Sequence, residues 1–123
     1  MIVLIVTPTR NVANYLDETI FSLVSQQGNF DLYIHIQDSC STDGTLDIIR
    51  KWKSILESEN NIFPNTGRVN LSYLSEEDQG MYDAINRGFN HLLAKLGNLD
   101  SDKVIMSWIN GDDVLTQRSL ISV

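Results

Sequence analysis

The feature that most constrains the fold of this chain is the alternation of short apolar runs with longer amphipathic segments. Residues 2–6 are continuously apolar and end at Thr7 and Pro8. Such a run is typical of a strand covered on both faces of a parallel sheet. Residues 12–27 instead place their apolar side chains at helical intervals, which predicts an amphipathic helix. The first thirty residues therefore indicate a strand followed by a helix.

The same alternation continues along the chain. Further strands are predicted over residues 32–37, 69–74 and 103–109, helices over 46–56 and 81–96, and a polar surface loop over 58–67. Strands that alternate with helices form βαβ units with right-handed crossovers. We therefore expect an α/β fold with a mostly parallel, Rossmann-like sheet flanked by helices, in a single domain over residues 1–123.

Composition excludes several classes of function. A formal net charge of −7 argues against nucleic-acid binding, which needs a basic surface. The single cysteine, Cys40, rules out an internal disulfide and a multi-cysteine zinc site, and it fits a reducing compartment. No apolar run is long enough to span a bilayer, and residues 1–6 do not resemble a signal peptide. The expected location is the cytoplasm, including the inner face of the membrane.

Polar side chains follow each predicted strand, where ligands bind in open parallel sheets. Asp112 and Asp113, with Asn110 and Gly111, form an acidic turn (residues 110–113) after the last strand. Adjacent carboxylates repel unless a cation or hydrogen-bond donors neutralise them, and their hard oxygens suit Mg²⁺ or Mn²⁺. The alternative is a turn with solvated aspartates. Spacing alone does not choose between the two.

Two other strand ends carry candidate residues. Asp38 could accept a hydrogen bond from a base or ribose, as acids at strand ends do in other nucleotide sites. Asp43 is better explained as a cap of the following helix. Residues 7–11 either stop the first strand and cap the first helix, or hold a flat base against the strand ends. Both interpretations of residues 7–11 stay open.

The segment before and within the third helix is also informative. Gly80 opens that helix, so its backbone could approach a ligand closely. Gly88, within the helix, costs stability relative to alanine, which indicates tight packing against a strand or a ligand, the alternative being a glycine that is simply tolerated. Asp83 and Arg87 are four residues apart, which predicts a surface ion pair. No function is predicted for the two histidines.

Taken together, four segments resemble the inverting family 2 glycosyltransferases, which have the GT-A fold. They are TPTRN at residues 7–11, DSCSTDGT at 38–45, EEDQGMYDAINRG at 76–88 and WINGDD at 108–113. Each is weak alone, but the four occur in the family's order and spacing. Two departures are Asn110 in place of the usual first acid, and Ser39 with Cys40 in place of a small, glycine-like pair.

The resemblance implies a nucleotide diphosphate sugar donor, most often a uridine one, a divalent cation, and a saccharide or lipid-linked saccharide acceptor. The residues that it places around the nucleotide are Pro8, Thr9, Asn11, Asp38, Asp78, Gly80, Asn86 and Asp112. Asp112 and Asp113 would divide the metal and ribose contacts. The family's catalytic base lies downstream of the acidic motif, so the expected fragment is the donor-binding, N-terminal part of a transferase.

Two hypotheses from other classes compete with this one. A non-catalytic α/β binding module of the receiver type would carry acids after the first strand, and residues 7–11 contain none. A nucleotidyltransferase would carry a glycine-rich basic loop there, and that segment contains no glycine.

Overall fold

The computed structural model describes residues 1–26, 28–58, 68–97 and 103–113, which form a parallel sheet with helices on both faces. Its elements, in chain order, are β1 (Ile2–Thr9), α1 (Ala13–Val24), β2 (Asp31–Asp38), α2 (Thr45–Glu57), β3 (Val69–Ser75), α3 (Met81–Leu96) and β4 (Val104–Trp108). The predicted order and type of every element are confirmed. The loop predicted over residues 58–67 lies, apart from Ser58, outside the described residues.

The four described strands lie in the order β3-β2-β1-β4, and every neighbouring pair is parallel. The predicted α/β fold with a Rossmann-like parallel sheet is thus confirmed. The main difference lies at the end of β1, which continues three residues beyond the predicted end at Val6. It does so because Thr7, Pro8 and Thr9 pair in register with the last residues of β2.

The hydrophobic core occupies both faces of the sheet. On one face α1 and α2 pack against alternate strand residues, including Val3 and Ile5 of β1. On the other face Leu4 and Val6 pack against Leu92 of α3. This explains why β1 is apolar at successive positions without alternation, since both of its faces are covered.

Gly88 allows α3 to approach the sheet closely. A Cβ atom at this position would lie 2.5 Å from Cγ1 of Val6 and 3.2 Å from Cδ2 of His35. The tight packing predicted at Gly88 is therefore packing against a strand. It allows α3 to pack directly against β1 and β2.

Among the described residues, β4 is the edge strand beside β1, and it exposes Met106 and Trp108. No helix in the described part of the chain is long and apolar enough to cross a membrane.

Candidate functional site

A cleft of about 430 Å³ lies at the carboxyl ends of the strands, where the sequence predicts a ligand site. It is bordered by the β1–α1 segment, the start of the β2–α2 loop, the β3–α3 loop (residues 76–80) and the acidic turn. The lining residues are Pro8, Thr9, Arg10, Val12, Ser39, Asp78, Gly80, Met81, Ala84, Asn110, Gly111 and Asp112. A smaller depression of about 280 Å³ shares Arg10, Ser39 and Asp78 with it and extends it towards Cys40 and Glu77.

The structure brings five of the nine predicted site residues together in this cleft, namely Pro8, Thr9, Asp78, Gly80 and Asp112. The other four, Asn11, Asp38, Asn86 and Asp113, do not line it. Asn86 is exposed on α3 and Asp113 is exposed in the acidic turn. The roles of all nine towards a nucleotide stay predictions.

Asp38 lies beneath the cleft rather than in its wall. Its side chain is 0% exposed, and both of its carboxylate oxygens accept hydrogen bonds. Oδ1 accepts from the hydroxyls of Thr9 and Ser41, both at 2.6 Å, while Oδ2 accepts from the Ser41 amide at 2.9 Å and the Ser75 hydroxyl at 2.8 Å. One buried carboxylate therefore ties together the ends of β1, β2 and β3.

Asn11 connects two of the loops that surround the site. Its backbone amide donates to the Ser41 hydroxyl at 2.9 Å, and its side-chain Oδ1 accepts from the backbone amide of Thr42 at 2.8 Å. These contacts hold Asn11 in the left-handed region, with φ of 51°, which asparagine tolerates better than most residues. Asn11 thus fixes the β1–α1 and β2–α2 loops to each other.

Asp43 has a wider capping role than the sequence predicts. Its Oδ1 accepts from the amide of Thr45, the first residue of α2, at 3.0 Å. Its Oδ2 accepts from the amide of Ala13, the first residue of α1, at 3.1 Å. One carboxylate therefore satisfies free amides at the starts of both helices. The Thr45 hydroxyl also donates to Oδ1, and this hydrogen bond first, with those from the two amides, lowers the pKa of Asp43.

The acidic turn is fixed by contacts with earlier parts of the chain. The Gly111 amide donates to the Pro8 carbonyl at 3.3 Å, and the Gly111 carbonyl accepts from the Thr19 hydroxyl of α1 at 2.9 Å. A Cβ atom at Gly111 would lie 2.8 Å from Cγ2 of Thr9 and 2.9 Å from Cγ2 of Val12. Only glycine lets the turn approach β1 this closely, and the approach brings Asp112 to the cleft.

The β3–α3 loop forms the wall that carries Asp78. Oδ1 of Asp78 accepts from the Gly80 amide at 2.9 Å, whereas Oδ2 is buried and has no hydrogen-bond partner in the described part of the chain. Gly80 has a φ of +110°, which favours glycine, and it precedes the first residue of α3. An unpaired carboxylate oxygen in the wall of a cleft is a candidate contact for a ligand donor.

A buried polar chain runs below this loop. Nε2 of His35 lies 2.9 Å from Oε1 of Gln37, whose Nε2 donates to Glu76 at 2.9 Å. Since Oε1 can only accept, Nε2 of His35 carries the proton, and Nδ1 accepts from the Ser72 hydroxyl at 2.8 Å. Burial lowers the pKa of His35 to about 4, so the ring is neutral at pH 7.

The metal interpretation of the acidic turn rests on two carboxylates. In the described residues, no group of three or more His, Cys, Asp or Glu side chains could hold a metal ion. Asp112 and Asp113 are adjacent and exposed, and Asp112 lines the cleft. Mg²⁺ is commonly bound through one or two carboxylates together with substrate phosphates. Their carboxylate oxygens are the type of ligand that such a cation takes, and Asp112 is the one of the two that lines the cleft.

Several residues of the site are missing from the sequence-based prediction. Ser41 and Ser75 bind Asp38, and Thr19 binds the acidic turn across 92 residues of sequence. The strand register could have indicated Ser75, because Asp38 is the partner of Thr9 on β1 and also of Ser75 on β3. The sequence contains no comparable signal for Thr19, whose contact depends on how α1 packs.

Known proteins are similar to this chain over the segments that form the cleft. The model of the family described as Glycosyl transferase family 2 matches residues 4–122. TuaG of Bacillus subtilis, named as a teichuronic acid biosynthesis glycosyltransferase, is 32% identical over 102 residues, covering 82% of this chain and 36% of TuaG. A PGL/p-HBAD biosynthesis glycosyltransferase of Mycobacterium bovis is 42% identical over 86 residues, covering 68% of this chain and 28% of that protein.

Among solved structures, the fold is similar to that of S. aureus TarS 1-349 in complex with UDP-GlcNAc. The TM-score is 0.63 and the sequence identity 22%, over 99% of this chain and 29% of that one. The complex of TarS with UDP gives a TM-score of 0.60 at 20% identity. The chain thus spans about a third of the length of the relatives that it matches.

Proposed function

The chain belongs to glycosyl transferase family 2. We therefore propose that its cleft binds the nucleoside diphosphate part of a UDP-sugar, and that the sugar of this donor is transferred to an acceptor hydroxyl. The proposal includes a single nucleotide-sugar-binding domain over residues 1–123. The predicted cytoplasmic location, including the inner face of the membrane, stays a prediction.

The observation that carries this proposal is the convergence of strand-end loops on one cleft, which is lined by carboxylates from two of these loops. The acidic turn supplies Asp112, and the β3–α3 loop supplies Asp78, with its unpaired buried oxygen. Pro8 and Thr9 lie in the lining of the same cleft. A base or ribose with free donors suits Asp78, and a diphosphate with its cation suits the acidic turn.

Relatives support the choice of nucleotide. A solved structure with the same fold was obtained with UDP-GlcNAc and another with UDP. At 20–22% identity, this similarity shows only that the fold is shared. The uridine donor is therefore proposed from the fold, the family and the lining of the cleft together.

Asp112 and Asp113 would hold the divalent cation, Mn²⁺ or Mg²⁺. When bound, such an ion neutralises the negative charge of a departing nucleoside diphosphate. The chain's own residues bind and orient the donor: Pro8 and Thr9 border the nucleotide, and Asp78 accepts a hydrogen bond from it. In the proposed reaction, an acceptor hydroxyl attacks the anomeric carbon from the face opposite the leaving diphosphate, so the new glycosidic bond forms with inversion as the bond to the diphosphate breaks.

The acceptor in this proposal is a saccharide or a lipid-linked saccharide. The base that takes the acceptor's proton is assigned to no described residue, because the carboxylates of the cleft are used for the donor. The role proposed for the described residues is therefore the binding of the donor.

Calorimetric titration of the chain with UDP, with and without Mn²⁺, tests the proposal. We expect binding that strengthens with Mn²⁺, and loss of this metal dependence in Asp112→Asn. Asp47→Asn is the matched control, since it makes the same change of charge at a side chain that is 84% exposed on α2. The proposal is wrong if no nucleoside diphosphate binds with or without the metal.

A further inference from the structure

Arg87 of α3 joins the carboxylate of Glu76, at the start of the β3–α3 loop, to that of Asp83, in the first turn of α3. Its Nε donates to Oδ2 of Asp83 at 2.9 Å, which confirms the predicted ion pair. Its Nη1 also lies 3.3 Å from Oε1 of Glu76, at the start of the loop. Both partners raise the pKa of Arg87, and the hydrogen bond to Asp83 has a larger effect than the one to Glu76. The guanidinium therefore bridges the loop and the helix that follows it.

Each carboxylate makes a second contact that fixes the loop. Oδ2 of Asp83 accepts from the Gln79 amide at 2.8 Å, directly before Gly80. Oε1 of Glu76 accepts from Nε2 of Gln37 at 2.9 Å, at the end of the buried chain from His35. Both ends of the loop are thus held by a carboxylate that Arg87 also binds.

The segment between these two anchors carries the cleft wall. Asp78 and Gly80 line the cleft, whereas Arg87, Asp83 and Glu76 do not. Without the guanidinium, Glu76 and Asp83 would each lose a positively charged partner, and the contact that links the start of the loop to α3 would be gone. A substitution at Arg87 would therefore act on the segment that carries Asp78.

We propose that Arg87 is a positioning residue, which sets the β3–α3 loop for nucleotide binding through Asp83 and Glu76 without contacting the nucleotide. This inference rests on the proposed function for its affinity test. The ion pairs are partly exposed, with Arg87 40%, Glu76 43% and Asp83 30% exposed, so they contribute little to overall stability. The expected signature is a loss of affinity with little loss of stability.

The test compares Arg87→Gln with Arg50→Gln. Arg50 is the matched control, because it pairs with an aspartate three residues earlier on α2, at 3.3 Å, away from the cleft. We expect Arg87→Gln to weaken UDP binding in the presence of Mn²⁺ by about fivefold to tenfold, a change that lies within the range of coupling energies for residues in one hydrogen-bond network. We expect Arg50→Gln to leave it within twofold, and both variants to keep the melting temperature of the parent within a few degrees.

A second readout needs no nucleotide. Exchange of the Gln79 amide proton with solvent, followed by NMR, should be faster in Arg87→Gln than in the parent chain or in Arg50→Gln. Arg87→Lys keeps a positive charge between the carboxylates and should restore part of both the affinity and the protection. These readouts separate loop positioning from a general loss of stability.

The outcomes are distinguishable. If the parent chain binds UDP and Arg87→Gln binds it within twofold, the positioning role is wrong. If the parent does not bind UDP, the proposed function fails, and the Gln79 exchange rate still decides whether Arg87 fixes the loop. Unchanged exchange in Arg87→Gln, or an equal change in Arg50→Gln, overturns the inference.

Discussion

The Thr9 hydroxyl donates a 2.6 Å hydrogen bond to Oδ1 of Asp38, a carboxylate that is 0% exposed. This contact joins the ends of two neighbouring parallel strands directly below the cleft. Ser75 completes it from the third strand, through Oδ2 of the same side chain. A fully hydrogen-bonded carboxylate therefore lies beneath the cleft, and it aligns the strand ends that carry the site.

Asp38→Asn should lower the free energy of unfolding by about 2 kcal/mol, because an amide nitrogen would replace one oxygen that accepts charge-assisted hydrogen bonds. Urea denaturation measures this loss, with Asp47→Asn as the exposed control, expected to change stability by less than about 0.5 kcal/mol. If Asp38 contacts the nucleotide directly, as the sequence predicts, the substitution would instead weaken UDP binding with stability unchanged.

Gly111→Ala should displace the acidic turn. The new methyl group would lie 2.8 Å from Cγ2 of Thr9, so the turn or β1 must move, at a cost of about 1–3 kcal/mol. Since Asp112 follows directly, Mn²⁺-dependent UDP binding should weaken as well. Calorimetry and urea denaturation of the same variant give both quantities.

Gly88→Ala is the matched control for this prediction. Its methyl group would lie 2.5 Å from Cγ1 of Val6, in the packing of α3 against β1 and outside the lining of the cleft. This variant should lose a comparable amount of stability. UDP binding by its folded molecules should still strengthen with Mn²⁺. Equal loss of metal dependence in both variants would contradict the specific role of the acidic turn.

Stability should fall as pH decreases below 6.5, because of His35. Burial lowers the pKa of His35 from 6.5 to about 4, so between these values the unfolded chain binds a proton that the folded chain does not. The contribution is fully present above pH 6.5 and is lost progressively as the pH falls towards 4. Between pH 7 and pH 5 the expected loss is about 2 kcal/mol.

Urea denaturation at several pH values checks this prediction, and His35→Gln provides the comparison. The variant loses stability at pH 7, since the ring is buried, but its stability should depend less on pH between 7 and 5. An equal dependence in both proteins would show that other groups carry the titration.

Much of the fold could be predicted from the sequence, because it depends on local periodicity. The apolar run in β1 and the helical spacing in α3 each specify an element without reference to the rest of the chain. The rule that ligands bind at the carboxyl ends of parallel strands then locates the candidate loops. Pro8, Thr9 and Asp78 line the observed cleft, as this reasoning predicts.

The contacts within the site could not be predicted in the same way, because they depend on register and packing. Asp38 is surrounded by hydroxyls only because its neighbours across the sheet are Thr9 and Ser75. Thr19 reaches the acidic turn only because α1 packs beside it. Asp43 caps two helices because their starts lie side by side, which no single helix motif indicates.

The most direct test of the central claim, that this cleft binds the nucleotide of a sugar donor, is an NMR titration of the ¹⁵N-labelled chain with UDP and Mg²⁺. We predict the largest amide shift changes at Thr9, Gly80 and Gly111, which line the cleft, and small changes at Arg50 on α2. Largest changes on the outer face of α2, or no changes at saturating UDP, would contradict the account.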